Sequence, residues 1–217
     1  MKCFTKGQLK QRGQLFIVGC LGCLSCLYSS CSKEETEAGE FDNWQARNEV
    51  YFASLADSLR QAPSQWQRIA KYSLAPGIEG NATDYIYAKV ISKGDGDGTP
   101  NFTDSVRVIY QGRLIPSATF PEGYVFDTTV GGDFSIRTAS TAKMLVSTTV
   151  EGYATALQHM HRGDCWRIVI PSDLGYGESG TSSGSVPAYS TLIFDVMLID
   201  FSPAGTAMPT WSSRMRR

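Results

Sequence analysis

Apolar and polar positions divide the chain into a helical first part and a strand-rich second part. Between residues 41 and 59 the apolar positions recur with helical spacing and form a broad apolar face that only Asn48 interrupts. A second short helix is predicted over Ser64–Tyr72, where three apolar residues are spaced i, i+3 and i+4. Two interpretations are open: these helices pack onto their own domain, or residues 41–72 form an arm for homodimerisation or for holding a client.

A single helix is predicted in the second part, within Val150–Asp164. Its apolar residues lie at i, i+3, i+4 and i+7: Tyr153, Ala156, Leu157 and Met160. Arg162 and Gly163 are predicted to end this helix, as a basic last turn followed by a glycine. One short helix among strands implies a sheet that curls around the helix and buries its apolar face.

The rest of the second part alternates apolar and polar positions, as half-buried strands do. The predicted strands are Tyr85–Ser92, Ser105–Leu114, Val125–Asp127, Phe134–Ile136, Trp166–Pro171 and Thr191–Phe201. We therefore expect an α+β fold: an antiparallel five- to six-stranded half-barrel wrapped around one short helix, with an N-terminal helical extension. The expected divisions are a helical region at 41–82, a domain at 83–202 that folds by itself, and a tail at 203–217.

Composition changes the picture at the N-terminus. Residues 1–30 hold four basic side chains and no acidic one, and an apolar stretch within them is too short and too rich in glycine and serine to span a membrane comfortably. The stretch ends in Ser29-Ser30-Cys31, which is followed by a polar, acid-rich segment. This arrangement resembles a bacterial lipoprotein signal, in which the cysteine becomes the lipidated first residue.

The resemblance implies a signal peptide at 1–30, lipidation of Cys31, a tether at 31–40 and a lipid anchor in the outer membrane, facing the periplasm or the cell surface. Tyr28 differs from the leucine that such signals usually carry at that place, and Cys26 is a second candidate for lipidation. A plain cleaved signal peptide or an uncleaved anchor is the other interpretation.

Charge and cysteine content exclude two further classes of function. Without residues 1–30 the chain has 16 basic and 21 acidic side chains, so no basic surface is expected and a nucleic-acid partner is excluded. Cys20, Cys23 and Cys26 have a spacing that resembles a metal motif, but neither a histidine nor a second such pair lies near them. We therefore predict no metal and no cofactor.

Six ordered segments of the second part resemble the FKBP-type peptidyl-prolyl isomerases, over roughly residues 85–201. The segments that carry the resemblance are Val106–Leu114 (VRVIYQGRL), Val125–Asp127 (VFD), Val150–Gly163 around the predicted helix, Pro171–Gly177 (PSDLGYG), Val186-Pro187 and Leu192–Val196 (LIFDV). The family's activity implies that the domain at 83–202 turns X–Pro bonds of proline-containing polypeptides between cis and trans. A binding or chaperone module with weak catalysis, and a purely structural lipoprotein, are the other functions considered.

The resemblance also implies the residues of a proline-binding pocket. Asp127 and the Tyr176 hydroxyl are expected to orient the peptide, and Tyr110 is expected to support Asp127. The other positions that match the family's pocket are Phe126, Phe134, Val150, Tyr153, Val186 and Phe194. Two features depart from the family: Tyr153 stands where tryptophan usually forms the pocket floor, and the loop between Tyr110 and Phe126 is several residues longer than in the smallest members.

These residue types suit the reaction. Rotation about an X–Pro bond faces a barrier of about 18–20 kcal/mol, because the resonance of the amide must be broken. Since no covalent bond is made or cut, the site needs neither a nucleophile nor a metal. It needs an apolar cup that removes water from the amide and so favours the less polar twisted form.

Overall fold

The computed structural model describes residues 39–61, 65–132, 134 and 139–210. The predicted signal peptide, Cys31 and nearly all of the tether lie outside these ranges. The described chain forms two α-helices, α1 (Trp44–Gln61) and α2 (Glu151–Leu157). Its strands are β1 (Trp66–Ala70), β2 (Tyr85–Ser92), β3 (Ser105–Arg113), β4 (Val125–Thr128), β5 (Ala142–Leu145), β6 (Cys165–Ile170) and β7 (Leu192–Ser202). Within the described ranges, neither helix is long and apolar enough to cross a membrane.

The seven described strands form one antiparallel sheet with the order β1-β2-β6-β7-β3-β4. The remaining strand, β5, shares an edge of β3 with β4: β5 pairs with residues 105–108 of β3, and β4 pairs with residues 111–113. The predicted fold class is confirmed, with more strands than expected. Of the predicted strand Phe134–Ile136, only Phe134 is described, and it is not in a strand.

The helix predicted over Ser64–Tyr72 is wrong, because β1 occupies this segment. Its residues pair with β2 from Trp66 opposite Lys89 to Ala70 opposite Tyr85. The helical spacing of the apolar residues was misleading, since a segment this short gains too few hydrogen bonds to offset the cost of nucleating a helix. The free edge of β2 satisfies the same backbone groups, so the sheet begins before residue 83.

The helix α2 is shorter than predicted and is almost entirely buried. It ends at Leu157, and Gly163 instead forms a later turn with φ +87°, in which its N–H donates to the Leu198 carbonyl at 2.7 Å. Gly152 lets the helix lie close to the sheet, because a Cβ atom there would come within 2.4 Å of the Ile170 side chain. The first turn of α2 is thereby held against the inner face of the sheet, which we define as the face that α2 covers.

The opposite, outer face is covered by α1. Phe52 and Leu55 pack on Tyr87, Val169 and Ile193, whose side chains alternate with those of the inner face. The interpretation that α1 packs onto its own domain is therefore confirmed.

Buried hydrogen bonds attach α1 to the residues just before β7. The Trp44 indole N–H donates to the Ser190 hydroxyl at 2.8 Å. The Asn48 side-chain oxygen accepts the Thr191 N–H at 2.7 Å, while its amide group donates to the Trp44 carbonyl. The polar interruption in the apolar face of α1 is thus the point at which the helix hydrogen-bonds to the sheet.

Candidate active site

A cleft of about 220 Å³ opens between the inner face of the sheet and the beginning of α2. Strands β3, β4, β5 and β7, the segment before α2, the first turn of α2 and the loop after β6 each contribute to it. The lining residues are Tyr110, Asp127, Met144, Thr148, Thr149, Val150, Tyr153, Tyr176 and Phe194. Six of the nine residues predicted from the sequence are therefore brought together here.

Pairing between β3 and β4 sets Tyr110 against Asp127 at the edge of the cleft. The Tyr110 hydroxyl donates to Asp127 Oδ2 at 2.7 Å. Thr129 fixes the backbone of Tyr110, since the two residues exchange hydrogen bonds of 3.0 Å in both directions. Burial and the hydrogen bond to Asp127 raise the pKa of Tyr110, so this hydroxyl remains a donor at neutral pH. Asp127 itself is exposed, and its carboxylate can accept a hydrogen bond from a bound peptide.

Phe194 is the centre of the aromatic wall. Its ring centroid lies 4.9 Å from that of Tyr153, 5.5 Å from that of Phe126 and 6.3 Å from that of Tyr110. Gly112 makes room for this packing, because a Cβ atom there would come within 2.6 Å of the Phe194 ring and 2.7 Å of the Phe126 ring. Phe126 packs behind Phe194 and supports the wall without lining the cleft.

Tyr176 stands at the mouth of the cleft, on the loop that follows β6. Its side chain is 38% exposed, and the loop is attached to the core through Leu174, which is buried. Partial burial, followed by the negative charge of Asp127, raises the pKa of Tyr176. The hydroxyl is therefore protonated at neutral pH and can donate to a peptide carbonyl.

Two predicted pocket residues lie elsewhere. Val186 is 1% exposed and belongs to the inner core, so it packs beneath the site and does not line it. Phe134 packs against the cluster of Ile109 and Met197, which are on the outer face of the sheet. The chain is already directed to that face at Val130, which is buried in the same cluster. The position of Phe134 thus contradicts its assignment to the pocket.

Three cleft residues were missed in the sequence. Met144 comes from β5, a four-residue strand that is too short to give a periodic signal. Thr148 and Thr149 belong to the turn between β5 and α2, where the Thr149 hydroxyl donates to the Val146 carbonyl at 2.8 Å. Among the described residues, no group of three or more histidine, cysteine or acidic side chains is placed to hold a metal ion.

Comparison with known proteins agrees with this geometry. Residues 96–199 match the family model described as FKBP-type peptidyl-prolyl cis-trans isomerase. A probable FKBP-type isomerase of Haemophilus influenzae is 30% identical over 173 residues, covering 79% of this chain and 66% of the relative. A Legionella longbeachae protein titled outer membrane protein MIP is 34% identical over 116 residues, covering 54% of this chain and 44% of the relative.

The crystal structure of FkpA from Escherichia coli is similar with a TM-score of 0.52 and 25% identity, covering 76% of this chain and 64% of that one. An antiparallel sheet curled around a short helix, with an aromatic cleft between them, is the FKBP class of fold. The chain belongs to the FKBP-type peptidyl-prolyl cis-trans isomerase family. It spans between 44% and 66% of the length of the curated relatives that it matches.

Proposed function

We propose that the protein is a peptidyl-prolyl cis-trans isomerase that acts on proline-containing polypeptides outside the cytoplasm. The observation that carries this proposal is the hydrogen-bonded pair Tyr110–Asp127 at the edge of a cleft whose wall is built from aromatic rings. The family to which the chain belongs supports the same activity.

The cleft supplies what the rotation requires. Tyr153 and Phe194 offer apolar surface on which a proline ring can lie, and the amide that enters with the ring loses its water. Because the planar amide is more polar than the twisted one, removing water lowers the barrier to rotation. Asp127 accepts a hydrogen bond from the peptide backbone and Tyr176 donates one, so that one half of the peptide is held while the other turns.

Replacing Asp127 by leucine tests the proposal. Asp127→Leu keeps the branched shape of the side chain but removes the positioned carboxylate, and we expect the isomerisation rate to fall roughly tenfold to a hundredfold, equivalent to about 1–3 kcal/mol. The assay follows cis-trans exchange of an X–Pro peptide by NMR, with folding checked by circular dichroism. Asp97→Leu, at an exposed carboxylate outside the cleft, is the matched control and should retain full activity.

Two outcomes would change this assignment. An active protein that is indifferent to Asp127→Leu would keep the enzyme but remove Asp127 as the polar anchor. A wild-type protein that gives no rate above the uncatalysed reaction would overturn the enzyme and leave a binding or chaperone module.

We propose that a lipid on Cys31 attaches the protein to the outer membrane. The small residues before Cys31 and the polar segment after it support this location, as does the name of the Legionella relative, outer membrane protein MIP. Each acyl methylene buried in a bilayer contributes about 0.8 kcal/mol, so several acyl chains would hold the domain stably.

Intact mass spectrometry of protein extracted from membranes tests the anchor. Cys31→Ser should abolish the lipid adduct and release the protein from the membrane, whereas Cys26→Ser should change neither. The reverse result would identify Cys26 as the modified residue, and an unmodified membrane protein would remove the proposal. We do not extend the proposal to a homodimer through residues 41–72, since the apolar face of α1 is covered by its own sheet.

A further inference from the structure

Two aromatic side chains, those of Tyr72 and Phe102, lie in contact on the surface and remain open to solvent. Their ring centroids are 4.9 Å apart, and the two residues are 43% and 38% exposed. Single exposed apolar residues are common on protein surfaces, but exposed rings in contact form a larger apolar surface of the kind that binds other polypeptides. We call these two residues the aromatic pair, and its position relative to the cleft indicates what it binds.

Phe102 is attached to the turn between β5 and α2, residues 146–150, whose last three residues line the cleft. The carbonyl of Asp104, two residues after Phe102, accepts the Val146 N–H at 3.0 Å. The Asp104 carboxylate accepts the Asn101 N–H at 2.8 Å and so fixes the loop that carries Phe102. Along this path Phe102 lies within roughly 20 Å of the nearest lining residue, since consecutive Cα atoms are 3.8 Å apart.

Tyr72 is attached to α2, whose first turn borders the cleft. Its N–H donates to Thr155 Oγ1 at 3.1 Å. The hydroxyl of the next residue, Ser73, donates to the carboxylate of Glu151, the first residue of α2. Glu151 directly follows Val150, which lines the cleft. The two attachments together hold the aromatic pair beside the segment that closes this side of the cleft.

A polypeptide that is bound through one proline continues beyond the cleft in both directions. An extended chain advances about 3.3–3.6 Å per residue, so residues about two to five places from the proline can reach the aromatic pair. An apolar side chain at such a place would lose water against the two rings, and an aromatic one would also gain the favourable contact between rings. The occupant that fits this surface is therefore the same chain whose proline lies in the cleft.

We propose that the aromatic pair is a second binding surface for that chain, and that it selects clients with an aromatic or large aliphatic residue two to five places from the proline. This inference rests on the proposed isomerase function and names the substrate class of the same site. The pair adds affinity without touching the rotating amide, so its loss should raise the dissociation constant and KM more than it lowers kcat.

Peptides that differ in one side chain test the second surface. Each peptide carries one proline among glycine and serine residues, with phenylalanine or serine placed one to six residues before or after it. Dissociation constants are measured by calorimetry, and kcat/KM by NMR exchange. At one or more placements two to five residues away, we expect wild type to bind the phenylalanine peptide about threefold to tenfold more tightly than the serine peptide.

The variants Phe102→Ser and Tyr72→Ser should each bring this ratio close to one. Phenylalanine directly next to the proline should give the same ratio in wild type and both variants, because it lies too close to the cleft to reach the pair. Each ratio compares two peptides on one protein, so a change in the stability of a variant does not alter it.

Phe120→Ser is the matched control. Phe120 is also 38% exposed and also contacts a second ring, that of Tyr124 at 5.2 Å, but it lies in the loop between β3 and β4. Its replacement should leave every ratio unchanged. A ratio that falls in Phe120→Ser and not in Phe102→Ser, or a wild-type ratio close to one at every placement, would overturn the inference.

Two further outcomes separate this inference from its alternatives. A smaller sedimentation coefficient for Phe102→Ser than for wild type would identify the aromatic pair as an interface between copies of the chain and would overturn the inference. Absence of turnover on every peptide would overturn the isomerase function alone, because the ratios of dissociation constants would still decide the second surface. If wild type bound none of the peptides, both proposals would be overturned.

Discussion

The two helices cover opposite faces of one sheet, and they do so differently. On the outer face, the 18-residue α1 places Phe52 and Leu55 directly on the strands and closes the surface. On the inner face, the seven-residue α2 covers only part of the sheet and leaves a cleft beside its first turn. The site therefore exists where the covering helix is short, and the long helix supports the strands from behind.

Strand β7 connects the helix on the outer face with the cleft on the inner face. Trp44 and Asn48 of α1 hydrogen-bond to Ser190 and Thr191, immediately before β7 begins. Phe194 follows a few residues later and forms the centre of the aromatic wall. The outer helix is thus connected to the cleft through the start of β7, although it contributes no residue to the lining.

The largest expected effect comes from removing the outer cover. The fragment 83–202, which the sequence predicts to fold by itself, lacks both α1 and β1 and exposes Tyr87, Val169 and Ile193. Full burial of each large apolar side chain contributes about 1.5–3 kcal/mol, so we expect the fragment to lose on the order of 5 kcal/mol relative to 39–202. Urea unfolding measures the difference, and equal midpoints for the two fragments would show that α1 is dispensable.

The second largest effect is expected from single alanine substitutions, which should show that α2 contributes to both activity and stability and α1 to stability. Tyr153→Ala on α2 and Phe52→Ala on α1 each remove a buried aromatic ring, and both should cost about 3–5 kcal/mol of unfolding free energy. Only Tyr153→Ala should also lower the isomerisation rate at a temperature where both variants are folded, since Tyr153 lines the cleft and Phe52 does not. Equal losses of activity would mean that the outer face controls the site as strongly as the inner one.

The smallest effect is expected in alkaline solution. Burial raises the pKa of Tyr153, so above about pH 10 the unfolded chain releases a proton that the folded chain retains. The unfolding free energy should therefore be fully retained below that pH and fall above it. Thermal unfolding between pH 8 and 11 measures the fall, which Tyr153→Phe should reduce.

On the outer face, Tyr51→Phe is the control for this titration. Burial raises the pKa of Tyr51 as well, but the positive charge of Arg167 opposes the increase. Removing the Tyr51 hydroxyl should therefore change the alkaline fall in unfolding free energy less than removing the Tyr153 hydroxyl does. If Tyr51→Phe changed the alkaline loss of stability more than Tyr153→Phe does, the prediction that Tyr153 contributes more to this loss would be wrong.

Long strands were predictable from the sequence because their periodicity has room to show. The bounds of β2 were predicted without error, and those of β7 within one residue at each end. Two short strands were not: β1 has apolar residues that also fit one turn of helix, and β5 has only four residues. Pairing with a neighbouring strand determines the secondary structure of such short segments, and the pattern of one segment alone does not contain that information.

The cleft was predictable to the extent that side-chain direction determines it. Alternation along β7 assigns Phe194 to the inner face, but it assigns Leu192 and Val196 there as well. Which of these positions remains uncovered depends on where α2 begins and where the loop after β6 lies. For the same reason, the family pattern alone assigned Val186 to the pocket, although the structure buries it one layer deeper.

The amide of Asn48 has a consequence for how uniquely the molecule folds. Apolar contacts have no preferred direction, so a helix that rests on a sheet through them alone can be displaced along its axis by one turn, about 5.4 Å, and still bury similar surface. The hydrogen bond from the Thr191 N–H at 2.7 Å is satisfied at one position only. A designer who exchanged α1 for a more apolar helix could gain affinity for the sheet and yet obtain a mixture of alignments, because the buried hydrogen bonds of Trp44 and Asn48 set the register.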